Sequence, residues 1–377
     1  MAFTNLAVFG GAFFTPILVG KITSNPSLYW PWTFYFVAIF CALSLPAIIF
    51  FCPETAYRRD ASLNLDLLDT ANPAAKTDAE TNPSPNDSNT PAIVQGSGGP
   101  SQVNCTNDTE KHHSVSPKVT FVQSLALFNG RKSDETFWKL LLRPFPLFIQ
   151  PAFLWACLIQ GLLIGWTVFI GVIMAQFFLS TPLWWSEVET GYAYTAAFIG
   201  AILGFVIAGS LADWSAQYMT KLNGGVYEPE FRIVLVIPQL ILGCTGLIGF
   251  GITIDGLLFR KYHWAVPLFF FALEVAGMVV GAVASSLYIV DAYREYPFST
   301  RHLHGRLTYI CLGDLAVEGF TCLIIFKNMF SFALTFKAFD WLVATRSKAA
   351  PIFNALGIVQ AIICLTSVPL CKFLTPG

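Results

Sequence analysis

The sequence predicts an all-α integral membrane protein with about eight transmembrane helices, arranged as two, then a long polar loop, then six. Composition is the first reason. Of 377 residues, 55% are hydrophobic and 12% charged, whereas soluble domains carry about 25% charged residues. Mean hydropathy is +0.59. The second reason is length. A hydrocarbon core about 30 Å thick takes about 20 apolar helical residues to cross, and eight stretches reach that length. Ten Trp and 35 Phe suit lipid contact and interfacial belts.

The first stretch, about residues 3–22, has no basic segment before it, so it reads as a spanning helix and not as a signal peptide. The second covers about 32–51. A polar loop follows, about 57–147. Its 60–117 portion is rich in Asn, Asp, Pro, Ser, Thr and Gly, a composition that does not fold alone. Its 118–145 portion alternates charge with Phe121, Leu125, Phe128, Phe137, Trp138 and Leu141, which predicts a helix lying on the membrane surface. Six more spans are expected at about 148–178, 191–212, 232–254, 264–290, 307–334 and 352–374. The predicted divisions are therefore 1–56, 57–147 and 148–377.

Net charge is −1, which gives no sign of a nucleic-acid partner. Lys and Arg near span ends favour the cytoplasmic side. With the N-terminus inside, twelve fall on inner loops and six on outer ones, so both termini and the polar loop are expected to be cytoplasmic. Sequons at Asn86, Asn104 and Asn107 would be used by a lumenal loop, but a loop rich in Asn, Ser and Thr also produces them by chance. Eight of the nine Cys lie in or beside spans, where Cys packs as a small hydrophobe. His112 and His113 are adjacent in the polar loop and do not make a metal site. No Walker phosphate loop, His-Glu-x-x-His or Gly-x-Ser-x-Gly occurs, so neither ATP-driven pumping nor an enzyme has a motif to rest on, and no cofactor or metal is expected.

Polar groups within spans are costly and so informative. A carboxylate at the bilayer centre costs about 2.5–3.5 kcal/mol on insertion scales. Glu274 stands about ten residues into the sixth span, within Phe-Phe-Phe-Ala-Leu-Glu-Val-Ala-Gly-Met. It reads as a carrier of protons, a partner for a cationic solute, or a protonated carboxyl bonded to a neighbouring helix. Gln150, Gln160 and Gln176 follow the third span; Gln160, near Gly161 and Gly165, either lines a polar cavity or joins helices. Gln239 and Gln360 are similar. Lys327 reads as a snorkelling cation. Gly200, Gly204 and Gly209, and the Gly277/Gly281 pair, have the spacing of close helix contacts.

Gly11-Ala-Phe-Phe-Thr15-Pro16-Ile-Leu-Val-Gly20, with Thr15 and Val19 replacing two glycines, is similar to the antiporter motif in the fifth helix of the Major Facilitator Superfamily. Pro53-Glu54-Thr55-Ala-Tyr-Arg58 resembles the end of its sixth helix. Gly209-Ser-Leu211-Ala212-Asp213 resembles its helix eight–nine signature, without the usual basic residues after the Asp. Leu142-Arg143-Pro144-Phe145, Asn223 through Arg232, Asp291-Ala-Tyr293 and Lys327-Asn328-Met-Phe-Ser331-Phe332 resemble the fungal proton-antiporter branch for drugs and polyamines.

The resemblance implies a partial major facilitator fold holding helices five to twelve: the last two helices of an N-terminal half, the central loop, and a complete C-terminal half. It implies that Gly11, Pro16 and Gly20 pack helices, and that Asp213 faces the N-terminal end of the eleventh helix beside Gly209. It implies that Glu54, Arg58, Glu228, Glu230 and Arg232 form cytoplasmic ion pairs that exchange as the halves rock. Family members run from Asp-x-Tyr almost directly into Glu-x-Phe. Here Glu295 to Gly313 intervenes before Asp314 and Glu318, and its codons can hold splice signals, so the stretch reads as a retained intron.

The expected function is secondary transport of small organic solutes by alternating access, coupled to protons, with Glu274, Gln160, Gln150 and Glu318 along the substrate and proton pathway. Its partners are a small-molecule substrate, protons and the bilayer, with the plasma membrane preferred to the vacuolar one. Two alternatives stay open: a truncated or nutrient-sensing membrane protein that does not transport, and sugars as the substrate class.

Overall fold

The computed structural model describes residues 2–28, 30–51, 136–142, 144–294, 315–345 and 348–369. Its elements in order are α1 (Ala2–Thr23), α2 (Pro31–Phe51), α3 (Phe137–Leu142), a 3-10 turn (Phe145–Ile149), α4 (Pro151–Leu179), α5 (Glu187–Ala193), α6 (Thr195–Leu222), a second 3-10 turn (Pro229–Leu235), α7 (Val236–Leu258), α8 (Ala265–Arg294), α9 (Leu315–Ala344) and α10 (Ala350–Leu365). Among the described residues, seven helices are long and apolar enough to cross a membrane, and α1 adds a shorter apolar run, Ala7–Thr23. The structure is an all-α membrane protein.

The chain forms two compact units, Met1–Ala38 with Glu135–Gly377, and Ile39–Asp134. In the first, α4 and α8 are the inner helices, each buried over 72% of its apolar window. Helix α8 packs on α4, α6 and α7; α4 also packs on α9 and α10; α1 packs on α5, α6 and α8. Apolar residues on the outer faces, such as Ile199, Ile241, Phe332 and Ile362, are exposed, as lipid contact requires. The second unit is described only for the end of α2, where Phe40, Leu43, Ile48 and Phe50 are exposed.

Missing side chains let the inner helices approach. A Cβ on Gly200 would lie 2.3 Å from the Ala272 carbonyl oxygen, one on Gly204 2.6 Å from that of Ala276, and one on Gly277 2.6 Å from the Gly243 nitrogen. Helices α6, α7 and α8 thus meet backbone to backbone. Without water to drive association, such van der Waals contact is what holds membrane helices together.

Several span ends move from their predicted places. Helix α6 continues to Leu222, past Asp213, and α9 continues to Ala344, past the predicted end near 334, while the predicted start at 307 lies outside the described residues. A charge marks where apolarity ends, but a helix leaving the bilayer keeps its own hydrogen bonds and needs no apolarity. In α9, Lys337 pairs with Asp340 at 3.1 Å on one helical face, so neither charge stops the helix. Of the predicted surface helix 118–145, residues 136–142, 144 and 145 are described; Phe137–Leu142 is α-helical, with Trp138, Leu141 and Leu142 exposed. Glu54, Arg58, the three sequons, His112, His113 and the 295–313 insertion lie outside the described residues.

Candidate functional site

Glu274 is fully buried on α8. Its α7 side is closed by Gly246, where a Cβ would sit 2.6 Å from the Glu274 Cα. On the α4 side the Thr167 Oγ1 lies 2.8 and 2.9 Å from the two carboxyl oxygens, 2.9 Å from the Leu163 carbonyl and 3.2 Å from the Met278 sulfur. Glu274 is the one charged side chain that is buried among the described residues, and it makes no ion pair among them.

Farther along the same interface, about two turns on α4 and three on α8, the Ser285 hydroxyl lies 3.2 Å from the Gln160 Oε1 and 2.9 Å from the Gly281 carbonyl. Gln239 of α7 donates to the Ile159 carbonyl at 3.0 Å. Gly281 leaves the room for that amide, since a Cβ there would lie 2.5 Å from the Gln239 Cδ. The Gln239 Oε1 is buried without a hydrogen-bond partner among the described residues. Gln160 and Glu274 therefore share one helix–helix seam and do not line an open groove. Gln360 joins another pair, accepting from the Trp166 Nε1 at 3.3 Å. Gln150 stands at the N-cap position of α4, without a side-chain cap bond, and Glu318 lies in the first turn of α9; both are half-buried.

A second cluster forms where α6 and α8 end. Asn223-Gly224-Gly225 turns the chain with φ of +67° and +93° at the two glycines, a conformation that disfavours other residues. The turn delivers Tyr227 and then Arg232. The Arg232 Nε lies 2.9 Å from the Asp291 Oδ2 and 3.0 Å from the Tyr227 hydroxyl, while its Nη1 donates to the Ala212 carbonyl at 2.8 Å. Tyr227 in turn donates to Asp291 at 2.5 Å. Burial, aided by that bond to Asp291, pushes the Tyr227 hydroxyl up to about 12, so it stays a donor. Asn223 also donates to Glu228 at 3.1 Å.

The placement of the predicted gating residues is mixed. Arg232 forms an ion pair, with Asp291 and not with Glu228 or Glu230. Asp213 is exposed, with no hydrogen bond or ion pair to a described residue; the neighbouring Ala212 carbonyl makes the link instead. Around Gly209 there is open space, so close packing does not explain it. In α1, Gly20 presses on the Glu187 carbonyl oxygen (2.7 Å for an added Cβ), and the Pro16 carbonyl oxygen sits as close to Gly191. Gly11 faces open space. Pro16 and Gly20 thus form a seam with α5, and Gly11 does not.

Sequence reasoning missed Thr167, Tyr227 and Asp291 as partners, and also Asp255. Both Asp255 carboxylate oxygens take backbone N–H groups at the start of α10, from Ala349 at 2.7 Å and Ala350 at 2.8 Å. Only Asp291 and Tyr227 had a signal, through their motifs.

The family profile described as Major Facilitator Superfamily matches residues 1–301. The chain belongs to the Major Facilitator Superfamily. Similar superfamily proteins are fungal. Protein HOL1 of Saccharomyces cerevisiae is 26% identical over 52% of this chain and 31% of its own length. The uncharacterized MFS-type transporter C1271.10c of Schizosaccharomyces pombe is 21% identical over 96% of this chain and 59% of its own. Efflux pump radE of Floropilus chiversii is 32% identical over 30% of this chain and 21% of its own. The chain thus spans between about a fifth and three-fifths of the length of these superfamily relatives. No solved structure gives a significant match. Membership gives the long apolar helices their setting, a bilayer.

Proposed function

We propose that the protein is a secondary active transporter of small organic solutes of the drug or polyamine kind, working by alternating access and driven by protons taken up at Glu274. One observation carries this reading: a carboxyl group wholly buried in a membrane helix bundle, with a hydroxyl partner and no cation among the described residues. An isolated intramembrane carboxyl is expensive, and proton relays are a common reason to keep one. Its enclosure between α4, α7 and α8 favours a proton role over direct contact with the solute. Gln160 extends the polar seam from Glu274, and Gln150 and Glu318 stand nearer the helix starts, where the solute would enter.

Arg232 links Asp291, near the end of α8, to the Ala212 carbonyl of α6, and Asp213, Gly209, Glu228 and Glu230 act with it as gating residues. The Lys and Arg distribution supports a cytoplasmic position for it, with both termini and the central loop. That an efflux pump is among the similar proteins supports export as the direction.

The test is transport in vesicles made from cells expressing the full reading frame. Loading with a cationic amphipathic probe and imposing a pH gradient should give probe flux accompanied by proton flux. Glu274→Gln should insert normally, keep probe exchange and lose its dependence on the gradient. Unchanged gradient dependence in that variant removes Glu274 from the mechanism.

A further inference from the structure

The Thr167 hydroxyl has more acceptors within reach than protons to give, and which one it takes depends on the protonation of the carboxyl beside it. A threonine hydroxyl carries one proton. Its oxygen stands within bonding distance of the Leu163 carbonyl and of both Glu274 oxygens. One proton serves one of these acceptors well. A protonated Glu274 resolves the conflict: its O–H donates to Thr167 Oγ1, and the Thr167 hydroxyl donates to the Leu163 carbonyl. An ionised Glu274 has no proton to give. The Thr167 hydroxyl must then turn to the carboxylate, where a charge-assisted bond is roughly twice as strong as a neutral one. The Leu163 carbonyl loses its second donor.

Among the described residues, no other titratable group competes for the role. The Tyr194 hydroxyl is committed to the Gly171 carbonyl at 2.8 Å. Asp255 on α7 is taken by the start of α10. On α9, Lys327 stands at the level of Gly161, across α4's other face. The neighbouring surfaces of α6 and α1 present Gly200, Gly204 and Phe13.

A hydroxyl bonded back to the carbonyl four residues earlier bends a helix slightly. On α4 that carbonyl lies between Gly161 and Gly165, the two positions where α9 seats Phe326 and Phe330. Trp166, beside Thr167, packs edge-on against Phe330 at 5.1 Å.

We propose that Thr167 is the positioning residue that converts the protonation state of Glu274 into a change in α4 at its α9 seam. The proton released by Glu274 passes to water, and the hydroxyl proton of Thr167 moves from the Leu163 carbonyl to the carboxylate. This rests on Glu274 being the protonating group of the proposed function.

The purified full chain in lipid nanodiscs tests it with two readouts. Infrared difference spectra across a pH titration follow the Glu274 carboxyl, assigned as the band lost in Glu274→Gln. Fluorescence follows Trp166, taken as the part of the pH-dependent change lost in Trp166→Phe. The wild type should show both signals. Thr167→Val should keep the carboxyl signal, at a shifted frequency, and lose the Trp166 change; Thr167→Ser should restore both. A Trp166 change that persists in Thr167→Val, or that Ser fails to restore, overturns the coupling while leaving Glu274 as a proton carrier. Absence of any titrating Glu274 band in the wild type overturns the proposed function itself.

Discussion

Arg232 and Asp291, 59 residues apart in the chain, meet at 2.9 Å and tie three segments into one junction. The arginine reaches α6 through the Ala212 carbonyl, the preceding turn through Tyr227, and α8 through Asp291. Both charged side chains are mostly buried, at 14% and 20% exposure, so removing one leaves the other poorly solvated. Asp291→Ala should destabilise the protein by about 3–5 kcal/mol, as for breaking one side of a buried pair. The double variant Arg232→Met with Asp291→Leu should recover much of that loss. Thermal unfolding in detergent for the two single variants and the double one measures the coupling.

The Tyr227 hydroxyl gives this junction a pH dependence with a definite sign. Its folded value, about 12, lies above the ordinary phenol value of about 10. The stabilisation is therefore fully present below about pH 10 and is lost as pH rises through about 12. Wild-type thermal stability should fall over that window more steeply than that of Tyr227→Phe. Equal slopes would place the hydroxyl outside the network.

Glycines of the same sequence pattern should respond oppositely to alanine. At Gly200 the new methyl would sit 2.3 Å from the Ala272 carbonyl oxygen, and backbone cannot swing aside. Gly200→Ala should cost about 1–3 kcal/mol. At Gly209 the methyl meets nothing within 4 Å, and alanine is the better helix former by about 0.8–1.0 kcal/mol. Gly209→Ala should be neutral or stabilising. Melting temperatures compared side by side decide this.

Asp255 acts as the cap of α10 from another helix. Losing a cap costs about 0.5–2 kcal/mol, and Asp255→Ala frees two N–H groups at once. Amide exchange at Ala349 and Ala350 should quicken in that variant, while exchange in the middle of α4 stays as in the wild type.

Much of this was written locally in the chain. About 20 apolar residues per span suffice to reveal a bilayer helix, so the helices were legible, and Glu274 stood out because nothing near it in sequence is charged. What the sequence hides is pairing between spans. Thr167 looks like any threonine of an apolar helix, and its importance comes from facing a residue 107 positions later. Asp255 sits near a helix end like any loop acid, yet its partners begin 94 residues on. Arg232 was found through its motif without a named partner, because Asp291 is close to it in space and distant in sequence. Helix ends were misread at Asp213 and in α9 for a related reason: charge reports where lipid stops, and the helical ladder continues beyond it.

The seam between α1 and α5 has a consequence for how the chain tolerates being cut. Pro16 and Gly20 precede the polar loop and Glu187 and Gly191 follow it, yet their backbones touch, and Phe13 packs edge-on against Phe271 at 6.1 Å. Covalent continuity between residues 52 and 135 is thus not what keeps α1 in place. A protease nick there should leave the two pieces migrating together under native conditions, and two separately expressed pieces should find each other in the membrane.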